Sequence, residues 1–165
     1  QTLKRTKDIA EANQVLAQLQ REAKLTAALA TPYNKWLNED VVYLITPEER
    51  QAFLRLKTAE EKEQFVRQFW ERRDPSPGTP RNEFKDEHYR RIVYANERYA
   101  GEVPGWRTDR GRVYITLGPP DEIESHPAEA REDWRYRKLK GYTGNVDLRF
   151  VRGKLQGELP KPPGR

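Results

Sequence analysis

Apolar residues recur at heptad-like spacing near the start of the chain: Ile9, Ala12, Leu16, Leu19, Ala23 and Ala30, interrupted by Thr26. This spacing predicts an amphipathic helix over residues 7–30, and Pro32 is expected to end it. The seam is thin and rich in Ala, so it can dock on the rest of the chain or pair with a second copy. Trp36 anchors a linker over residues 33–40. Val41 to Ile45 form a short unbroken apolar run, which length and β-branching assign to a buried strand. Thr46-Pro47-Glu48-Glu49 and Thr58-Ala59-Glu60-Glu61 are helix starts, each with a capping hydroxyl and a Glu three residues on. The first helix is expected to bury Phe53, Leu54 and Leu56. The second, running to about Arg73, should bury Phe65, Val66, Phe69 and Trp70.

Three prolines between Asp74 and Pro80 exclude helix and central strand, and predict a stiff, mostly extended loop. Thr79-Pro80 can start the next helix, which ends near Gly101. Phe84, His88, Ile92, Ala95 and Tyr99 share one of its faces. Asp86–Arg90 and Glu87–Arg91 stand at i,i+4 with the acid first, the favourable order. Gly105 to Gly111 read as a turn-rich loop in which Asp109 accepts backbone N–H bonds and Gly111 takes positive φ. Val113, Ile115 and Leu117 then alternate with Tyr114 and Thr116, predicting a strand that Gly118-Pro119-Pro120 stops. Trp134–Leu139 and Val146–Val151 read as a hairpin, and the Pro- and Lys-rich tail from Gly157 reads as disordered.

The blocks FWERRDP, NEF, EHYRR, YAN and GWRTDRGRVYI–GPPDEIE occur in that order. From about Asp40 to Phe150 the chain resembles the GWxTD domain of bacterial proteins. The resemblance brings no biochemical activity with it. It does mark Arg72, Arg73, Asp74, Asn82, Glu83, His88, Arg91, Gly105, Trp106, Thr108, Asp109, Arg110 and Asp121 as binding or motif-defining positions. The family has a longer segment between His126 and Trp134 than this chain. The run from TLGPPDEIE to VDLRFVRGKL also resembles, weakly, the strands of small bacterial outer-membrane lipoproteins that serve in barrel assembly.

Composition narrows the classes. Charged residues make up 35% of the chain and hydrophobic residues 35%, so the core must be compact. Four Trp, eight Tyr and five Phe argue against disorder throughout. The absence of Cys excludes disulfides, thiolate catalysis and Cys-based metal sites. There is no apolar run of spanning length. The absence of Met and the start at Gln1 point to a mature or trimmed piece. The net charge of +5 is unevenly placed: residues 131–165 carry 10 basic and 4 acidic side chains, and the remainder is close to neutral. Nucleic acid is therefore not an expected partner, because no broad basic face precedes that segment.

Candidate chemistry is sparse. Arg72 and Arg73 sit where cations favour a helix C-terminus, beside Asp74; an anion site is the alternative. His88 fits a hydrogen-bonded core histidine, with general base or ligand as the alternative. His126 follows Asp121, Glu122 and Glu124, but their spacing matches no metal motif. Trp106 after Gly105 can plug a gap in a helix layer, and Thr108 and Asp109 suit turn-locking hydrogen bonds. Ser76 and Ser125 lie in Pro-flanked loops with no nucleophile elbow.

The expectation is an α+β domain, with three to four helices on one face of a small, mainly antiparallel sheet. Residues 1–35 form a helical extension, 36–156 the domain and 157–165 a flexible tail. The expected role is a non-catalytic structural or protein-interaction module, without metal or cofactor, exported to the periplasm or envelope of a bacterium. Its partner would be another protein or another domain of a parent chain, with self-association through residues 9–30. A hydrolase or metal-dependent enzyme using His88, Asp109 and Asp121, with His126, is the second expectation. Binding of anionic polymer or lipid head groups through Arg135, Arg137, Lys138 and Lys140 is the third.

Overall fold

Capping chemistry sets the helix starts, and the helices set the rest. The computed structural model describes residues 2–162, leaving aside the side chains of residues 2, 3 and 22–32. The seam positions Ala23, Thr26 and Ala30 and the last three tail residues thus lie outside what is described. The chain divides into two units, residues 1–64 and 65–165.

In the first unit, helix α1 spans Thr2–Lys35. Pro32 does not end it: a proline deletes one backbone donor, and the remaining rungs carry the helix through. A π-helical turn over Trp36–Asp40 follows, closed by the Val41 N–H donating to the Trp36 carbonyl at 3.0 Å. Val41–Ile45 is not a strand. The Val41 carbonyl accepts from the Leu44 and Ile45 N–H groups at 2.9 and 2.8 Å, winding the run into a turn. A strand needs a ladder partner, and among the described residues 1–64 hold no other strand.

Helix α2 spans Pro47–Leu54 and starts as expected. The Thr46 hydroxyl accepts from the Glu49 N–H, and the Glu49 carboxylate accepts from the Thr46 N–H, both at 3.1 Å. Phe53 is buried against Trp36, with ring centres 5.4 Å apart. Leu54 is 57% exposed, because so short a helix has one buried stripe, and Leu56, beyond its end, is half-buried. Helix α3 spans Ala59–Glu71, two residues shorter than expected, with the Thr58 hydroxyl accepting from the Glu61 N–H at 3.1 Å. It buries Phe69 and Trp70, while Phe65 and Val66 are half-buried.

In the second unit, helix α4 spans Glu83–Tyr99. Its cap is Asn82 and not Thr79: the Asn82 Oδ1 accepts from the Lys85 N–H at 3.0 Å, while its Nδ2 donates to the Trp70 carbonyl at 2.8 Å. Thr79 instead donates its hydroxyl to the carbonyls of Ser76 and Arg81, holding the loop in a bend. Of the two expected ion pairs, Glu87–Arg91 forms at 3.1 Å. Asp86 lies 3.6 Å from Arg81, and Arg90 takes the other oxygen of Glu87 at 2.7 Å. Of the shared face, His88, Ala95 and Tyr99 are buried, Ile92 is half-buried and Phe84 is 37% exposed.

Residues Asp109–Leu117 are helix α5 and not a loop and strand. A 3-10 turn over Gly105–Arg107 leads into it, and Thr108 is its cap. Val113, Ile115 and Leu117 are all buried, as is Gly111. A helix enclosed on most sides shows no 3.6-residue polar period, so its β-branched residues mimic a strand. Gly118, at φ 86°, ends it in a conformation that favours glycine.

The sheet is antiparallel, in order β1-β2-β3-β4: Glu122–His126, Arg131–Tyr136, Val146–Val151 and Lys154–Gln156. The hairpin is β2–β3, with Trp134 opposite Leu148. β1 and β4 were not anticipated. Pairing alternates the faces: Trp134, Tyr136, Val146, Leu148 and Phe150 are buried on one side. Glu122, Glu124, Asp133, Arg135, Asp147 and Arg149 lie on the other, around a groove of about 370 Å³. Tyr99 of α4 meets Trp134 at 5.7 Å, placing helices against the apolar face. The whole is an α+β arrangement. The tail is held at least as far as Pro160, whose carbonyl accepts from the Tyr142 hydroxyl at 2.8 Å. No described helix is long and apolar enough to cross a membrane.

Candidate functional site

The segment Gly105-Trp106-Arg107-Thr108-Asp109-Arg110-Gly111 joins α4, α5 and the sheet. Two glycines make the approach. A Cβ on Gly105 would stand 1.9 Å from the Ala95 carbonyl oxygen, and one on Gly111 would stand 1.7 Å from the Gly105 carbonyl oxygen. No side chain fits at either place. Gly111 therefore serves contact and not positive φ. The Trp106 N–H donates to Asn96 Oδ1 at 2.8 Å, fixing the turn on α4. The indole is half-buried and so is not a complete plug. The Thr108 hydroxyl donates to the Gly105 carbonyl at 2.8 Å and accepts from the Gly111 N–H at 3.0 Å. It locks the turn and caps α5 at once.

Asp109 does not serve its own loop. Its carboxylate accepts from the Leu155 N–H at 2.8 Å, tying α5 to β4 across 46 positions of sequence. At the first position of α5 this acid also complements the helix dipole. Arg110 donates from Nη1 to Glu132 at 2.7 Å, and its guanidinium stands 5.1 Å from the ring centre of Tyr99. Glu132 also accepts from the Trp134 indole N–H at 3.1 Å. Burial, first, and then the neighbouring Tyr94 and Glu132 push the Tyr99 hydroxyl pKa up, opposed by Arg110. At the far end of α5, Arg91 donates to the Ile115 carbonyl at 3.4 Å, and the buried Tyr136 hydroxyl donates to the Gly118 carbonyl at 2.7 Å. Arg91 thus places a cation where helix carbonyls are unpaired.

The other motif loop closes on itself. Arg73 donates to the Phe69 carbonyl at 3.1 Å and lies 3.7 Å from that ring centre, and Arg72 lies 6.0 Å from Phe65. Asp74 accepts from the Ser76 N–H at 2.9 Å. Glu83 sits exposed in the first turn of α4. The Asp74 carboxylate serves its own turn, and that of Asp109 serves β4.

The four residues put forward for chemistry stand apart. His88 is buried between Trp70 and Tyr89, at 5.7 and 5.9 Å, as a core histidine. It lies eleven residues before Tyr99, about 16 Å along α4, whereas Arg110, next to Asp109, touches Tyr99. The Asp121 carboxylate accepts from the Arg137 N–H at 2.6 Å. His126 is five residues further on, roughly 17 Å along the strand. Neither of the two described cavities is lined by His88, Asp109 or Asp121.

His126 gathers different partners. Its Nε2 lies 3.2 Å from Glu124 and 3.8 Å from Asp133, and one ligand atom of each can lie within 4.8 Å of the others. Ligands of a tetrahedral zinc stand about 3.4 Å apart, so the spacing is near what such an ion needs. Asp133, however, is already engaged. Arg149 Nε donates to it at 2.8 Å and Arg131 lies at 3.5 Å. The Arg149 hydrogen bond, first, holds the Asp133 carboxyl below the ordinary range. A cation would have to displace these guanidinium groups.

Of the basic segment, Arg135 and Arg137 are paired, while Lys138 and Lys140 are exposed. Arg135 meets Asp147 at 2.9 Å and Glu122 at 3.4 Å, and Arg137 pairs with Glu122. Sequence reasoning named Glu124 beside His126 but passed over Glu132, Asp133 and Arg149. Their signal was the period-two alternation of charge in Arg131–Tyr136 and Val146–Val151. The family described as the GWxTD domain matches residues 18–158. No curated protein and no solved structure matches the chain.

Proposed function

The chain belongs to the GWxTD domain family, and from that premise we propose that it is a non-catalytic structural or protein-interaction module. The observation that carries this reading is the fate of the motif side chains. Thr108, Asp109 and Arg110 each end on a group of the same fold. An acid or hydroxyl so engaged is a poor base or nucleophile.

The contact surface of this reading is α1. Ile9, Val15, Leu16 and Leu19 are each more than half exposed, and Ile9, Leu16 and Leu19 follow the spacing of a coiled-coil seam. Self-association through residues 9–30 is the partner we propose, with another protein or another domain of a parent chain as the alternative. Export to a bacterial envelope is part of the same proposal, supported by the likeness of the strand pattern to envelope lipoproteins, and cell fractionation tests it.

Sedimentation of the whole chain tests the seam. We expect concentration-dependent association that a Leu16→Ser/Leu19→Ser variant loses while keeping its near-ultraviolet circular dichroism. A chain that stays monomeric throughout would remove self-association. Hydrolysis of ester, phosphoester or peptide substrates that a folded Asp109→Ala variant cannot perform would remove the entire reading.

A further inference from the structure

We infer that the free edge of the sheet, β1, is a strand-addition site for an extended basic segment of a partner protein. The surface uses no residue of α1. Two edges end this sheet, and they differ. β4 is three residues long, and its central N–H is already taken by Asp109. β1 is five residues long, pairs with β2, and has four exposed residues out of five. Every second residue of an edge strand directs its N–H and C=O groups away from the sheet, ready for another strand.

The side chains state which strand would fit. On the charged face, Asp147, Arg135 and Glu122 stand in one cross-strand row, and Arg149, Asp133 and Glu124 in the next. Both rows end at the edge on a carboxylate: that of Glu122 already meets Arg135 and Arg137 but stays 47% exposed, and that of Glu124 meets His126. Residues 121–126 read DEIESH: three acids with no Lys or Arg, in a chain of net +5. Glu124 has a side chain 67% exposed. Between the acids, Ile123 points to the opposite face, opposite the buried Trp134, and is itself 50% exposed. A strand laid beside β1 would complete both rows with a cation at alternate positions and cover Ile123 with an apolar residue between them. The pattern required is basic, apolar, basic.

A second copy of β1 is the competing occupant, and its registers differ. Antiparallel self-pairing centred on Glu124 sets Glu124 against Glu124, and centring on Ile123 sets Glu122 against Glu124, whereas centring on Ser125 sets Glu124 against His126 and opposes no like charges. Like charges directly opposite are unfavourable. The same acids that deter indiscriminate edge pairing would select a basic partner.

The probe is an acetylated, amidated seven-residue peptide of alternating lysine and valine, added to the whole chain and followed by amide hydrogen exchange and NMR. We expect slowed exchange along residues 122–126, weakened about tenfold or more by Glu124→Lys. A glutamate–valine peptide should give no protection. A lysine–valine peptide methylated at alternate backbone nitrogens should also give none, since it keeps its charge but loses its donors. Three results would overturn the inference: no β1 protection at millimolar peptide, equal binding by the N-methylated peptide, or β1 protection that grows with protein concentration alone. The last would assign the edge to a second copy.

Discussion

Replacing Gly111 by Ala puts two physical rules in opposition, so the sign of the result is informative. Gly111 lies inside α5, where Ala is favoured over Gly by about 1 kcal/mol in helix propensity. Propensity alone therefore predicts a more stable protein. The added methyl, however, would stand 1.7 Å from the Gly105 carbonyl oxygen and 3.0 Å from Thr108 Oγ1. The nearest atoms belong to the Gly105 backbone, so α5 must move away from the 3-10 turn. Such overpacking costs about 1–3 kcal/mol. The Thr108 hydroxyl would also lose its place between Gly105 and Gly111, two hydrogen bonds of about 1 kcal/mol each. The net expectation is a loss of about 2–4 kcal/mol, or a melting temperature lower by on the order of 10 °C. Urea unfolding with the slope held constant measures it. Gly101→Ala is the control, because a Cβ there meets nothing within 4 Å, and it should change stability by less than about 0.5 kcal/mol. A Gly111→Ala protein as stable as the parent would refute the claim that the motif glycines exist for close approach.

Other side chains give independent tests. Asp109→Ala removes a charge-assisted bond to the Leu155 N–H; exchange of that amide should accelerate about ten- to a hundredfold, at about 1.5–3 kcal/mol for such a bond, and unchanged protection would break the proposed tie between α5 and β4. Asn82→Ala should cost about 2 kcal/mol in chemical unfolding, twice an ordinary cap, because Asn82 also donates to the Trp70 carbonyl; a cost under about 0.5 kcal/mol would show that the second bond adds nothing. Asp133 has its pKa depressed chiefly by Arg149, so its stabilisation is complete above the unfolded value of about 3.9 and is lost as pH falls through the lower folded value. Arg149→Met should move the Asp133 carboxyl titration in NMR back towards the ordinary range, and an unmoved curve would assign the depression elsewhere.

Some local signals in this chain held over the distance at which they act, while Pro32 as a helix stop, Thr79 as a cap and Asp86–Arg90 as a pair did not. A capping hydroxyl bonds three residues ahead, so Thr46 and Thr58 marked two helix starts from sequence alone. Period-two alternation marked the β2–β3 hairpin, and an apolar helix face placed His88 in the core. Fold class and family followed from the same short-range patterns, and so did the locking role of Thr108. The run from Asp109 to Leu117 shows where that reach ends. Its apolar and β-branched residues satisfy either a strand or an enclosed helix, and neighbours on most sides select the helix. Val41 to Ile45 was ambiguous in the same way, and the absence of a ladder partner in its unit made it a turn. The bonds that give the motif its meaning are longer still: Asp109 to Leu155 across 46 positions, Arg110 to Glu132 across 22. No spacing rule encodes such pairs. Sequence alone determined which residues could donate, accept or cap; the packing of α5 between α4 and the sheet decided which of them met, because a hydrogen bond forms only where the backbone has already brought its two ends within about 3 Å.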